Sequence, residues 1–494
     1  MAETRYIAID LGAESGRVML GTLRENSHSS PPELQLEEWH RFQNVPVEMA
    51  GAIRWNIPQL WADIQTGLAK AAAAAKSAGS PVHGVSADSW GVDYVLLGKG
   101  SPMLAPPPIY RDPRTQPSFD KAMKDLGAEF IFANTGIQIM SINTLFQLLA
   151  EPRELLEVAD AFLNIGDYFN YLLAGCPRRP TAEISLASTS QVFDVALGRW
   201  SDALIQRVGF PRRIFPNVTK SGTPIGKTPL LETAQVIAGC SHDTACAVAA
   251  VPAEGEPDWA YISSGTWSLA GVELAKPIVT DRCRELGFTN ELGHAGTTRL
   301  LKNISGLYML QQCRAEWGAG DKAISYAHLA SMGEKARPLR SLIRPEYPAF
   351  SSPGGMCGKI SEYCRKTGQT PPTEVGQFVR CIYESLSLLY RKTMLELTEL
   401  TARPLRRLHI VGGGSRASLL NQLTADACAI PVFAGPVEAT SMGNVLIQAA
   451  ALGHISPPDI RTITRAASSL QTFEPHESGR MDEAYGKFLQ LPVA

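Results

Sequence analysis

The chain has 494 residues, 45% of them apolar and 19% charged, with a net charge of −2. That length exceeds one ordinary hydrophobic core and predicts two domains. Balanced charge without a clustered Lys/Arg run argues against nucleic acid or an anionic membrane as a partner, and no apolar run approaches the roughly 20 residues a bilayer crossing needs. Nine scattered cysteines with no C-x-x-C pair read as reduced thiols. Together with an N-terminus that enters a strand without a charged-then-apolar leader, they predict a cytoplasmic protein. Cys364 and Cys381 would meet if their helices pack.

From Tyr6 to Leu20 the sequence reads as an apolar strand, a Gly-rich turn and a second strand. Residues 34–45 read as a further strand. A long helix follows over 53–79, with Asn56 as N-cap, Pro58 in the first turn, Gly79 as the stop, and Leu60, Ile64 and Leu68 on one face. Val82–Ala87 is a short strand that ends at Asp88-Ser-Trp-Gly-Val-Asp93, and Tyr94–Leu97 is another; strand, helix, strand is the rhythm of an α/β domain. Pro102–Pro117 is irregular, helical patterns occupy 117–133, 143–159 and 166–174, and 177–235 is mixed and turn-rich. In that last stretch, residues 222–228 (GTPIGKT) imitate a Walker A loop. Three residues separate the glycines where four are needed, and Pro229 follows, so a surface turn is predicted.

A strand over Ala234–Ala238 runs into Ser241-His242-Asp243-Thr244 and a small-residue helix, Ala245–Ala250. Tyr261–Leu269 forms a second hairpin about a Gly-centred turn. Leu301–Trp317 and Val375–Leu400 read as helices. Strand Leu408–Val411 feeds Gly412-Gly413-Gly414-Ser415 and a helix through Leu419, Leu420, Leu423 and Ala427; residues 441–452 make one more helix, and past Pro457 a tail is expected to pack on the surface.

The hairpins at Tyr6 and Tyr261 begin 255 residues apart, about half the chain, which suggests two related domains that each present backbone N–H groups to a phosphate. In the first, Asp10 ends an apolar strand and suits Mg²⁺ waters, Gly12 and Gly16 permit close backbone approach, and Arg17 neutralises charge. An ordinary turn with a solvent-facing Asp is the alternative. Gly412–Gly414 between a strand and a helix suits a nucleotide. Asp88 and Trp90 suit a sugar, the indole covering C–H groups and carboxylates holding hydroxyls, although a polar bulge around a core Trp fits the same residues. Asp243 at the mouth of a strand–turn–helix is placed to take a proton. No Ser or Cys triad and no His/Cys metal cluster competes, so the combination implies phosphoryl transfer from a Mg²⁺-nucleotide to a hydroxyl.

Asp10-Leu-Gly-Ala13, Asp88–Asp93, Tyr110-Arg-Asp112, Ser241–Thr244, Ser263–Ser268, Leu301–Gly306, Val411–Gly414 and Ala434–Asn444 together resemble the FGGY carbohydrate kinases, in order, over about residues 5–452. The resemblance implies an α/β protein of two actin-like (ribonuclease-H-like) domains, 1–245 for the sugar and 246–494 for the nucleotide, with an active-site cleft between them. It implies ATP and Mg²⁺ acting on a small-molecule ketose, in a monomer or homodimer. By motif position Asp243 is the general base, His242, Thr244, Gly91 and Asn303 are sugar contacts, and Ala13, Glu14, Ser15, Gly16, Arg17, Thr266, Gln311 and Gly413 are nucleotide contacts, with Asp10 organising the metal. Glu14 departs from the pattern, since related kinases carry a small residue or hydroxyl there, and its charge repels phosphate unless Mg²⁺ or Arg17 offsets it. The same architecture also serves actin-like ATPases acting on protein partners, but this chain has no appended peptide-binding domain.

Overall fold

The computed structural model describes residues 3–25, 30–231, 233–255, 257–318 and 324–493. It divides into two units, each assembled from separate stretches of chain. Residues 1–254, 273–300 and 439–467 make the first, and 255–272, 301–438 and 468–494 the second. The sequence expectation has a single cut between 245 and 246; here the chain returns twice to the first unit after leaving it.

The first unit is built on six strands: β1 (Glu3–Leu11), β2 (Ser15–Arg24), β3 (Glu33–Gln43), β4 (Val82–Ser89), β5 (Thr223–Lys227) and β6 (Gln235–Ala238). Their order is β5-β6-β4-β1-β2-β3. β1 lies parallel to β4 and antiparallel to β2, and β4 lies parallel to β6. β1 is buried from Arg5 to Leu11 because both of its faces are covered. Alternate side chains go to opposite sides: Ile7, Ile9 and Leu11 pack with Leu60, Ile64 and Leu68 of the helix Ile57–Ser77, while Tyr6 and Ala8 pack with Met442, Val445 and Leu446 of the helix Ala439–Ala451. The first helix begins as its sequence dictates, the Asn56 side chain accepting from the Gln59 N–H at 3.3 Å and Pro58 lying in its first turn. Gly79, at φ +74°, lies just past its end.

A separate apolar cluster around Leu145, Phe146, Phe162, Phe193 and Trp200 carries the excursion after β4. The two long helices expected there are each broken. Gly127, at φ +80°, divides Thr115–Asp125 from Ala128–Thr135, and Pro152 divides Thr144–Leu149 from Arg153–Val158. Ala159–Asn164, between the helical patterns read at 143–159 and 166–174, is a strand paired with Tyr94–Gly98. The Walker-like segment is not a surface turn, since Thr223–Lys227 is the edge strand β5, paired with β6.

In the second unit the same plan recurs. Strands β7 (Trp259–Ser264), β8 (Trp267–Leu274), β9 (Thr298–Ser305), β10 (Arg407–Val411), β11 (Val432–Ala434) and β12 (Gln471–Phe473) lie in the order β9-β8-β7-β10-β11-β12. β7 is antiparallel to β8 and parallel to β10, as β1 is to β2 and β4. The helix Val375–Thr401 buries Phe378, Ile382, Leu386, Leu389 and Met394 as expected, and is enclosed on all sides from Cys381 to Tyr390. Leu301–Trp317 is not one helix: β9 runs to Ser305 and a helix begins at Tyr308. Gly306 between them packs so tightly that a Cβ would lie 2.6 Å from the Trp267 carbonyl carbon. The chain past Pro457 is also more than a surface tail. Ile460 and Ile463 join the core beside Tyr6, β12 pairs with β11, and the helix Ser478–Gln490 buries Met481, Ala484 and Phe488.

All nine cysteines are free thiols, Cys364 and Cys381 among them. No described helix is long and apolar enough to cross a membrane.

Candidate active site

Register across the first sheet sets a row of charges. Asp10 on β1 stands opposite Arg17 on β2 and opposite Asp88 on β4. Arg17 donates to Asp10 Oδ2 at 2.5 Å and the Ser441 hydroxyl donates to the same oxygen at 3.1 Å. Asp88 is fully buried; Asn444 Nδ2 donates to its Oδ2 at 2.6 Å, while its Oδ1 has no hydrogen-bond partner among the described residues. Burial, then the charge of Asp10, hold the Asp88 carboxyl well above the usual Asp range. Ser441, Asn444 and Gln448 share one face of the helix Ala439–Ala451, and Gln448 reaches the Ile7 carbonyl at 3.1 Å. That polar face fastens the helix across the ends of β1 and β4.

The turn between β1 and β2 holds Ala13, Glu14 and Ser15. It is pinned by Asn44, whose Nδ2 donates to the Gly12 carbonyl (3.1 Å) and whose N–H donates to that of Glu14 (3.0 Å). The Glu14 side chain is exposed. Gly16 also has a packing role, since a Cβ there would lie 2.3 Å from the Phe42 ring.

Asp88 and Trp90, predicted as sugar contacts, both face inward. The Trp90 indole N–H donates to Asp93 Oδ2 at 2.9 Å, and its ring packs on Trp55 with centroids 4.5 Å apart. Trp90 thus packs as a core indole, the alternative the sequence left open, while Asp88 keeps one oxygen without a hydrogen-bond partner among the described residues.

The turn 241–244 lies beside the end of β4, where Ser89 N–H donates to the Ser241 carbonyl at 2.8 Å. Buried Glu183 holds it from behind, its Oε2 accepting the Ser241 N–H at 2.9 Å, and the Ser185 hydroxyl accepts the His242 N–H at 3.1 Å. Asp243 opens the helix Asp243–Ala249. Its Oδ1 takes the Thr244 N–H at 2.5 Å and hydroxyl at 3.2 Å, with His242 Nε2 at 3.4 Å. Among the described residues no donor reaches Oδ2. The side chain is 29% exposed, and burial of its surroundings raises the carboxyl above the usual range, with His242 opposing and Asp10 adding to the rise. A carboxylate with one oxygen fixed and the other open can accept a proton from a ligand hydroxyl. Gly91 lies against the same spot; a Cβ there would stand 3.5 Å from His242 Nε2 and 3.3 Å from the Thr189 hydroxyl.

The second unit brings together other predicted residues. Thr266 sits in the turn between β7 and β8, and its carbonyl accepts the Tyr308 N–H at 3.2 Å. That bond joins the turn to the helix Tyr308–Trp317, which carries Gln311 in its first turn. Asn303 lies on β9, half-buried. Of the three glycines after β10, Gly414 is a packing glycine, since a Cβ would lie 2.0 Å from Ser264 Oγ, whereas Gly413 is exposed with nothing within 4 Å. Of the three, the middle glycine is the most open to solvent.

Sequence reasoning gave no role to Ser441, Asn444, Glu183, Glu291 or Arg299. The first two left a signal, polar residues three apart in an otherwise small and apolar helix; Arg299 in the run Thr-Thr-Arg-Leu-Leu left none.

Comparison with known proteins gives a consistent result. Residues 5–250 match the family model for the FGGY family of carbohydrate kinases, N-terminal domain, and residues 260–452 match that for its C-terminal domain. A protein named rhamnulokinase from Bacteroides thetaiotaomicron is 42% identical over 98% of both chains. One of the same name from Bacillus subtilis is 37% identical over 96% of both. Among solved structures, a xylulose kinase from Lactobacillus acidophilus superposes with a TM-score of 0.79 at 13% identity, covering 99% of this chain and 97% of that one. A glycerol kinase from Plasmodium falciparum superposes at 0.76, also at 13% identity, covering 99% and 98%. At such identities these structures speak to the fold alone.

Proposed function

This chain belongs to the FGGY family of carbohydrate kinases, whose phosphate donor is ATP, and within that family we propose that it phosphorylates L-rhamnulose at O1, giving L-rhamnulose 1-phosphate and ADP in rhamnose breakdown. The reaction is carried by Asp243, whose carboxylate has one oxygen held by Thr244 and the other free of protein donors. The choice of sugar is supported by relatives named rhamnulokinase along almost the full chain. Family membership sets aside an actin-like ATPase acting on a protein partner.

Asp243 Oδ2 accepts the proton of the O1 hydroxyl as that oxygen forms its bond to the γ-phosphorus and the bond to the β,γ-bridging oxygen breaks. His242, Thr244 and Gly91 border the sugar and Asn303 contributes a further contact. Gly91 has no side chain, which leaves the space beside His242 Nε2 for a hydroxyl. The backbone of Ala13–Gly16 with Arg17 takes the phosphates, and Thr266, Gln311 and Gly413 take the rest of the nucleotide.

The acidic residues suit Mg²⁺. Asp10 and Asp88 are neighbours on adjacent strands, offer hard oxygen donors, and include the unpartnered Asp88 Oδ1. When bound, Mg²⁺ neutralises charge on the β- and γ-phosphates, and Asp10 would hold it through water. The protein works in the cytoplasm as a monomer or homodimer.

The test is product identity. With L-rhamnulose and ATP, ³¹P–¹H correlation should join the new phosphate to the C1 methylene protons; coupling to any other carbon's protons, or no new phosphate ester, rejects the assignment.

A further inference from the structure

The hairpin formed by the strand Thr289–Leu292 and β9 sets Glu291 beside Arg299, both buried: the Arg299 side chain is 1% exposed and that of Glu291 7%. Arg299 Nη2 lies 3.1 Å from Glu291 Oε2, 3.3 Å from the Leu292 carbonyl and 3.1 Å from His242 Nδ1. Its Nε and Nη1 have no hydrogen-bond partner among the described residues. A guanidinium so completely removed from water, with one ion pair, one carbonyl and one ring nitrogen all on Nη2, is costly unless the ring contact matters.

We propose that Arg299 is a positioning residue for phosphoryl transfer, fixing the His242 ring so that its proton sits on Nε2 and points at Asp243 and the space left by Gly91. The inference rests on the reading of Asp243 as base and His242 as sugar contact.

A guanidinium N–H can only donate, so His242 Nδ1 accepts from Arg299, and the ring's proton belongs to Nε2. Nε2 lies 3.4 Å from Asp243 Oδ1, on the side where a Gly91 Cβ would stand 3.5 Å away. An N–H there steadies the carboxylate oxygen that does not take the substrate proton and serves as donor to a sugar oxygen. The competing arrangement has Nδ1–H donating to Glu291 Oε2, which lies 3.4 Å away. It would leave Arg299 Nη2 facing an N–H and turn the bare Nε2 lone pair toward Asp243. Burial acts to raise the Glu291 carboxyl, but the charge of Arg299 beside it opposes that and the carboxyl lies below its usual range, so it stays a carboxylate and keeps Arg299 in place. The arrangement suits a polyol substrate, whose hydroxyl oxygens accept from a fixed donor.

The first readout is the His242 tautomer, from long-range ¹H–¹⁵N correlation on the full chain, with the signal assigned by its loss in His242→Gln. The expected pattern has unprotonated Nδ1 and protonated Nε2, and a proton on Nδ1 in any form of the ring overturns the proposal. This reading needs no sugar, so it stands even if no ketose proves to be a substrate and the kinase reading fails.

The second readout is kinetic. Arg299→Met alone strands a buried carboxylate, so the paired variant Arg299→Met/Glu291→Gln removes both charges at similar volume. It should lose about 10- to 100-fold in kcat/KM for the sugar, as the loss of an orienting partner does elsewhere, with the KM for ATP unchanged. Arg299→Lys, which keeps a charged donor, should recover part of the loss. Equal loss on the sugar and ATP sides, or no recovery with Lys, overturns the proposal in favour of a general packing role.

Discussion

At the scale of single residues, the account turns on Asp243. Replacing it with Asn keeps shape and hydrogen bonding but removes the proton acceptor. Asp243→Asn should lower kcat by roughly 10²- to 10⁴-fold, the usual contribution of a general base, while ATP binding measured by calorimetry persists. Near wild-type turnover would exclude it as the base. Its pH dependence has a definite sign. Burial raises the Asp243 pKa, and a base works only when deprotonated, so the acid limb of kcat/KM should fall above the ~3.9 of a free Asp side chain. The residual activity of the Asn variant should lack that limb; a limb at the free-Asp value, or one that survives the substitution, contradicts the assignment. The place of Asp243 at the start of a helix after a polar turn was legible from sequence because turn and helix are contiguous. Arg299 was not, since its meaning depends on His242, 57 residues away, and on a buried contact that no local pattern announces. The burial of Asp88 and Trp90 was not legible for the same reason, because residue type suggests a sugar while only packing shows which way a side chain faces.

At the scale of elements, two contacts decide how well the site is held. The helices Asp243–Ala249 and Ala439–Ala451 meet at Gly443, where a Cβ would lie 1.9 Å from the Cys246 carbonyl oxygen. Backbone cannot yield as a flexible side chain does, so Gly443→Ala should destabilise the first unit by about 3 kcal/mol, seen as a lower Tm. An unchanged Tm would show that the helices are not so close. The second contact is the knot around Asp93, which accepts from Trp55 Nε1 (2.6 Å), Trp90 Nε1 (2.9 Å), Gln147 Nε2 (2.8 Å) and the Tyr110 N–H (3.3 Å). Burial nevertheless pushes its pKa up to about 6. An unfolded Asp titrates near ~3.9, so between these values the folded chain binds a proton that the unfolded chain does not. The resulting stabilisation is full below the unfolded value and is lost as pH rises through about 6, amounting to about 2–3 kcal/mol. Urea unfolding at pH 4.5 and pH 7 should therefore show a fall for the wild type that Asp93→Asn lacks, and equal slopes would contradict this. Helices such as Ile57–Ser77 and Val375–Thr401 were readable from caps and periodicity. Thr298–Ser305 and Ala159–Asn164 were not, because short apolar runs satisfy helix and strand patterns alike and only the partner strand decides between them.

At the scale of the whole molecule, the notable feature is duplication. Strand orders β3-β2-β1-β4-β6-β5 and β9-β8-β7-β10-β11-β12 correspond over six strands, the second sheet adding Thr289–Leu292 outside β9, and each holds the hairpin that sequence comparison of Tyr6 with Tyr261 picks out. Half a chain of repetition was legible from two short stretches because the hairpins keep their Gly turns. The interleaving of the units was not legible, since the return of residues 439–467 to the first unit is written in the packing of Met442, Val445 and Leu446 beside Tyr6 rather than in any boundary composition. The most direct test of the account is coupled ADP release with Mg²⁺-ATP across L-rhamnulose, L-fuculose, L-ribulose, D-xylulose and glycerol, with a control lacking sugar. The account predicts sugar-dependent turnover with kcat/KM highest for L-rhamnulose; preference for another ketose, or turnover indifferent to sugar, would contradict it.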